Sequence, residues 1–324
     1  MSIQTALTQR LGIRNPVLLA PMDVVADARL TSAVSAAGGL GILGGGYGDA
    51  EWLTREIARL KETQVRFGIG FITWSLAKQP HLLDLALESA PAAIMLSFGD
   101  AAPFAEPVKR SGAALICQVQ TLDMARKAVS VGADILVAQG TEAGGHGASR
   151  ATLTLVPELV DAIGPDVPVV AAGGIADGRG LAAALMLGAS GVLMGTRFYA
   201  TKEAAVAAEA KARVQRATGD ETARGLVFDI VRKRVWPVPF TGRCLRNALV
   251  ERWTGRELEL VRHADEEHAK FLAAREAGDF DIAAVIAGEA AGLVRDIPSA
   301  REVVERVSRD AEALLDGASQ RLRA

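Results

Sequence analysis

Residues 135–147 read ILVAQGTEAGGHG, residues 168–175 read PVVAAGGI and residues 191–196 read GVLMGT. In each, a short apolar run passes directly into glycine. Runs that are continuous rather than alternating fit strands covered on both faces, as in a parallel sheet. Five more runs precede them: residues 17–20 (VLLA), 41–45 (GILGG), 66–72 (RFGIGFI), 92–97 (AAIMLS) and 114–119 (ALICQV). Between them, residues 50–64, 121–131 and 178–187 space apolar residues by three and four, the pattern of helices with one buried stripe. Asp177 stands where an N-cap opens the last of these, and Gly188 where a C-cap closes it. Eight strand–helix units within about 200 residues is the count of a (β/α)8 TIM barrel, the expected α/β fold. A doubly wound sheet would place GxGxxG after the first strand; this chain has Ala20, Pro21, Met22 and Asp23 there.

Beyond Arg197 the texture changes. Residues 203–217 (EAAVAAEAKARVQRA) have strong helix composition. A proline-broken aromatic stretch, residues 235–241 (VWPVPFT), precedes further amphipathic segments. The expected organisation is a barrel over residues 1–210 and an additional C-terminal helical subdomain over 211–324, whose last helix packs back on the barrel.

Composition narrows the function. The chain of 324 residues carries 36 Lys+Arg against 38 Asp+Glu, so no basic surplus points to nucleic acid or an anionic membrane. Its two cysteines, Cys117 and Cys244, are far apart and form no CxxC, which disfavours a disulfide scaffold or a structural zinc site. No metal site is expected: His263 and His268 are off the i, i+4 spacing of paired ligands. The opening residues lack a charged segment followed by an apolar one and a cleavage signal, and no long apolar run reads as a membrane span. A cytoplasmic protein is the expectation, with homo-oligomer formation left open.

In a barrel the active site lies at the C-terminal ends of the strands. The sixth run ends in the loop holding His146, whose imidazole exchanges a proton near neutral pH. The seventh and eighth end in Gly173–Gly174 and Gly195–Thr196, the positions that cradle phosphate in many barrels. Together they predict a base beside a phosphorylated ligand. Trp74, after the third run, suits either the barrel mouth or packing. Trp236 and Phe240 read as anchors of the tail, and both cysteines as packing residues.

The set QGTEAGGHG (139–147), AAGGI (171–175) and MGT (194–196) resembles the nitronate monooxygenase family, formerly called 2-nitropropane dioxygenases. APM (20–22), WPVPFTGRCLRN (236–247) and GEAAGL (288–293) extend the resemblance over most of the chain. The resemblance implies an FMN-dependent barrel that oxidises alkyl nitronates or nitroalkanes with O2 to carbonyl and nitrite, without a metal. It implies His146 as the catalytic base, Gln139 and Gly144 as flavin contacts, and Met22 with its backbone against the ring system. It also implies that Gly174 and the run Leu193, Met194, Gly195 and Thr196 hold the FMN phosphate. One departure stands out: Gly70 occupies the place of an Asn usual in the family. Two other functions share these features, an FMN-dependent NAD(P)H enoyl-thioester reductase and a flavin-binding barrel without turnover.

Overall fold

The computed structural model describes residues 3–318. Five strands open a ring: β1 (Val17–Leu19), β2 (Gly41–Gly44), β3 (Phe67–Ile72), β4 (Ala93–Ser97) and β5 (Ala114–Val119). The chain then forms β6 (Ile135–Gln139), a short β7 (Gly145–Gly147) outside the ring, β8 (Val169–Ala172) and β9 (Gly191–Met194). Neighbours in the ring follow the order β1-β9-β8-β6-β5-β4-β3-β2, all parallel. A bridge between Leu18 and Leu40 closes it. There the Leu19 amide donates to the Leu40 carbonyl at 3.0 Å and the Leu40 amide to Val17 at 3.1 Å. The expected TIM barrel is therefore the observed fold.

Alternation along the strands sorts the apolar residues into two layers. Leu18, Ile42, Met95, Ile116, Val137 and Leu193 share one cluster, the filling of the ring. Leu7 and Leu11, from the helix Ala6–Leu11, join that cluster and plug the end where the strands begin. Leu19, Leu43, Ile69, Ile94, Leu136 and Val192 point the other way, into the layer shared with the helices. The helix boundaries follow local chemistry. Asp177 accepts from the amides of Arg179 and Gly180 to open Gly178–Met186, and Gly188 follows that helix at φ +89°.

The last described helix, Ala300–Asp316, lies against Gly178–Met186 and against Ala28–Ala36, the seventh and first helices of the ring. Gly178 permits the close crossing: a Cβ there would stand 2.6 Å from the Ala311 amide nitrogen. Residues 200–299 thus form an excursion that leaves after β9 and returns to complete the helical layer.

This excursion departs from the helical expectation in two places. Residues 203–207, rich in helix formers, are not helical; the helix is Ala208–Arg216. Tertiary bonds win there: the Ala205 amide donates to Val25, and the Glu203 carboxylate accepts from the Ala300 amide at 2.8 Å. The excursion also contributes two strands, β10 (Thr222–Gly225) and β11 (Thr241–Leu245), which join β7 in an antiparallel sheet. Neither segment alternates in a readable way; pairing with a distant partner makes them strands.

Gly70 has a steric explanation. A Cβ at this position would lie 2.3 Å from Pro21 Cβ and 2.5 Å from Pro21 Cγ. The Pro21 ring occupies the space that an Asn side chain would need. Gly70→Asn is expected to destabilise the barrel by roughly 1–3 kcal/mol through overpacking, read as a lower urea midpoint at unchanged slope.

Candidate active site

Above the apolar filling, the strand ends turn polar. Gln139, only 7% exposed, ends β6; its Oε1 accepts from Gln120 Nε2 at 2.8 Å and from Gln118 Nε2 at 3.2 Å. Its own Nε2 donates to the His146 carbonyl at 3.0 Å. Ser97 Oγ, at the end of β4, and Gln120 Oε1 are buried without a hydrogen-bond partner among the described residues. A buried polar atom left alone costs about 1–3 kcal/mol. Two such atoms at one barrel mouth suit a ligand with donors and acceptors along its edge.

The loop after β6 is held from outside the barrel. In the β7–β11 ladder His146 pairs with Gly242, flanked by Gly147 with Thr241 and Gly145 with Arg243. Arg224, on β10, donates to the carbonyls of Thr141 at 2.9 Å, Ala143 at 3.0 Å and Gly145 at 3.4 Å, and also to Thr241. Burial, with the Arg243 guanidinium beside it, pulls Arg224 down to about 10, so it remains charged at neutral pH. Arg243 adds a bond from Nε to Thr141 at 3.0 Å and an ion pair to Glu289 at 3.0 Å. Two guanidinium groups thus collect the carbonyls that a tight glycine loop turns outward.

His146 is enclosed on several sides. Its Nε2 lies 2.9 and 3.0 Å from the two carboxylate oxygens of Asp229, on the helix Val227–Val231. The side chains are 10% and 7% exposed. Trp236 stacks on the imidazole with centroids 3.4 Å apart and planes 7° from parallel. Gly242 lies beside the ring: a Cβ there would sit 3.5 Å from Nε2, an ordinary packing distance. Burial lowers the imidazole below its ordinary range, opposed by the hydrogen bond and charge of Asp229. Burial thus favours the neutral form of the ring.

Trp236 donates through Nε1 to the Tyr47 hydroxyl at 3.1 Å and meets Trp74 and Phe98 edge-on. Phe240 meets Phe98 in turn. Trp74 therefore belongs to an aromatic roof beside the histidine, and the tail anchor Trp236 is a component of the site.

At the neighbouring strand ends Gly173 and Gly174 adopt φ of +107° and +73°, the left-handed region that favours glycine. The amides of Gly174, Gly195 and Thr196 find no partner among the described residues. Thr196 Oγ1 accepts from the Gly288 amide at 2.9 Å, which leaves its own proton free to donate. The Glu289 amide donates to the Glu142 carbonyl at 2.9 Å, and a Cβ on Gly144 would meet the Gly288 nitrogen at 2.6 Å. Residues 287–289 consequently tie the histidine loop to the end of β9. Met22 lies beside this end, its Sδ 3.7 Å from a Cβ position on Gly195.

Of the residues singled out by sequence, Gln139, Gly144 and His146 share one loop, while Gly174, Gly195, Thr196 and Met22 line the adjoining rim. Leu193 faces into the barrel, but Met194 turns its side chain outward among the helices, so only its backbone faces the rim. Sequence reasoning missed Asp229, Arg224 and the stacking of Trp236. For Asp229 one signal existed, a lone carboxylate inside the apolar run VFDIV (227–231). Cys117 and Cys244 are buried, and burial pushes each thiol up to about 12, which suits packing.

The nitronate monooxygenase family model matches residues 4–72 and 77–310, and the chain belongs to that oxidoreductase family. A nitronate monooxygenase of Neurospora crassa is 33% identical, with 96% of this chain and 94% of the relative covered. A Mycobacterium tuberculosis protein is 32% identical over 98% of this chain and 99% of its own. That relative is a (3aS,4S,5R,7aS)-5-hydroxy-7a-methyl-1-oxo-octahydro-1H-indene-4-carboxyl-CoA dehydrogenase. Among solved structures, FabK from Thermotoga maritima superposes with a TM-score of 0.88 at 29% identity, covering 98% of this chain and 99% of that one.

Arg224→Met removes the charge that gathers four carbonyls. Amides of residues 144–147 should then exchange with solvent faster, and global stability should fall by about 1.5–3 kcal/mol, the worth of hydrogen bonds to a charged group. Hydrogen exchange read by mass spectrometry, with a denaturant titration, checks both.

Proposed function

We propose that this member of the family is an FMN-dependent monooxygenase that converts alkyl nitronates and nitroalkanes, with O2, into carbonyl compounds and nitrite. The observation that carries the reading is a buried imidazole set at the same barrel mouth as two glycine turns with unspent amides. FMN bound there supplies the electron acceptor for the reaction.

The chain's own residues take the remaining roles. The amides of Gly174, Gly195 and Thr196, the backbone of Leu193 and Met194, and the Thr196 hydroxyl would hold the phosphate. Gln139, Gly144 and the Met22 backbone would contact the ring system, whose polar edge would satisfy Ser97 and Gln120. His146, whose burial favours the neutral form, takes the proton from the carbon next to a nitro group, or orients a nitronate that has already lost it. The aromatic roof of Tyr47, Trp74 and Trp236 excludes water from the exchange.

A second reading is a flavin-dependent dehydrogenase or reductase of an acyl thioester. It is supported by the name of the Mycobacterium tuberculosis relative. It is also supported by Lys78, Arg232 and Arg234, which lie over the rings of Trp74 and Tyr47 and form no ion pair among the described residues. Such cations suit the phosphates of a carrier.

Purified protein loaded with FMN should release nitrite from propionate 3-nitronate with O2 uptake. NADH consumption with an enoyl thioester, in place of nitrite release, would instead favour the second reading. His146→Ala should retain FMN yet lose about 10²–10⁴-fold on neutral nitroalkanes. Because burial lowers the imidazole's protonation point, the acid limb of kcat/KM should fall below pH ~6.5, and activity should decline only as pH drops through that lower value.

A further inference from the structure

The imidazole of His146 has two nitrogens, and the structure distinguishes them. Nε2 faces both oxygens of Asp229 at 2.9 and 3.0 Å, whereas Nδ1 has no hydrogen-bond partner among the described residues. An ionised carboxylate has lone pairs and no proton to give, so it can only accept. A neutral imidazole carries a single N–H, and facing a carboxylate that hydrogen is held on Nε2. The lone pair is then left on Nδ1. Trp236 stacked on one face, together with the two contacts from Nε2 to Asp229, holds the imidazole in this orientation.

We infer that Asp229, brought to the mouth by the excursion beyond the barrel, is a positioning residue that fixes His146 as the Nε2–H tautomer and makes Nδ1 the proton-accepting atom. The inference rests on the reading of His146 as the base. In the step, Nδ1 takes the proton from the carbon next to the nitro group, and the electron pair of that C–H bond moves into the nitronate. The positive charge formed on the ring is balanced by Asp229 through Nε2–H. The carboxylate itself takes no proton, a division of labour like that of the buried aspartate in serine hydrolases.

Other groups facing the pair are Arg224 from β10, Arg232 beyond the helix that carries Asp229, Tyr47 from the roof and Cys244 from β11. The two guanidinium groups oppose a charged imidazole, so Asp229 is the carboxylate that sustains its basicity.

The test combines spectroscopy with kinetics. ¹⁵N NMR of histidine-labelled protein, with and without FMN, should show the His146 hydrogen on Nε2. In Asp229→Ala the signal should become a mixture of tautomers. A hydrogen on Nδ1 in the unaltered protein overturns the inference. In FMN-loaded Asp229→Asn, the acid limb of kcat/KM for a neutral nitroalkane should move to lower pH. The plateau should fall by about 10–100-fold, the scale of losing a partner that orients a histidine, and the loss should be smaller for a preformed nitronate. Asp229→Glu, which keeps the charge, should recover much of the limb. A pH profile unmoved in Asp229→Asn also overturns the inference. If NMR finds Nε2–H while His146→Ala keeps full turnover of nitroalkanes, the base reading fails and the catalytic use of Nδ1 with it.

Discussion

The pairing of Gly145–Gly147 with Thr241–Arg243 is the constraint on which the site depends. Gly-His-Gly on its own has no conformational preference, and ordering each residue's backbone costs about 1–2 kcal/mol. The ladder to β11 and the guanidinium groups of Arg224 and Arg243 supply the compensating bonds. The barrel therefore presents the histidine loop, but segments some eighty to a hundred residues further on hold it in place.

That division explains the layout of the molecule. The ring interior is saturated with aliphatic side chains and has no room for chemistry below the rim. Towards the rim polar groups take over, with Ser97, Gln118, Gln120 and Gln139 at or near the ends of their strands. Above them, Tyr47, Trp74 and Phe98 come from the barrel itself. The excursion between β9 and the helix Ala300–Asp316 provides the carboxylate behind His146, the Trp236 cover and the 287–289 tie to Thr196. Its return to the helical layer anchors both ends, so a long insertion behaves as a fixed roof.

The relatives make the same point from outside. A nitronate monooxygenase and a CoA dehydrogenase resemble this chain to similar degrees over nearly its whole length. The shared fold therefore does not by itself fix the reaction, which has to be argued from the groups at the site. Here the roof presents aromatic rings and cations beside a buried histidine–carboxylate pair.

By itself the sequence determined the barrel, its eight strands, the rim glycines and the histidine loop. These are signals confined to a few adjacent residues: continuous apolar runs, glycines at their ends, helical spacing between them. The resemblance also set Gly70 apart, and tertiary structure alone shows that the Pro21 ring fills the space beside it. Tertiary structure decided the rest. That residues 222–225 and 241–245 are strands, that 203–207 refuse the helix their composition favours, and that Asp229 meets His146 all depend on partners distant along the chain. Apolar periodicity is written locally because each strand and helix buries its own face. A hydrogen bond between residues 83 positions apart leaves no such trace, since the energy that selects it exists only once the chain has folded.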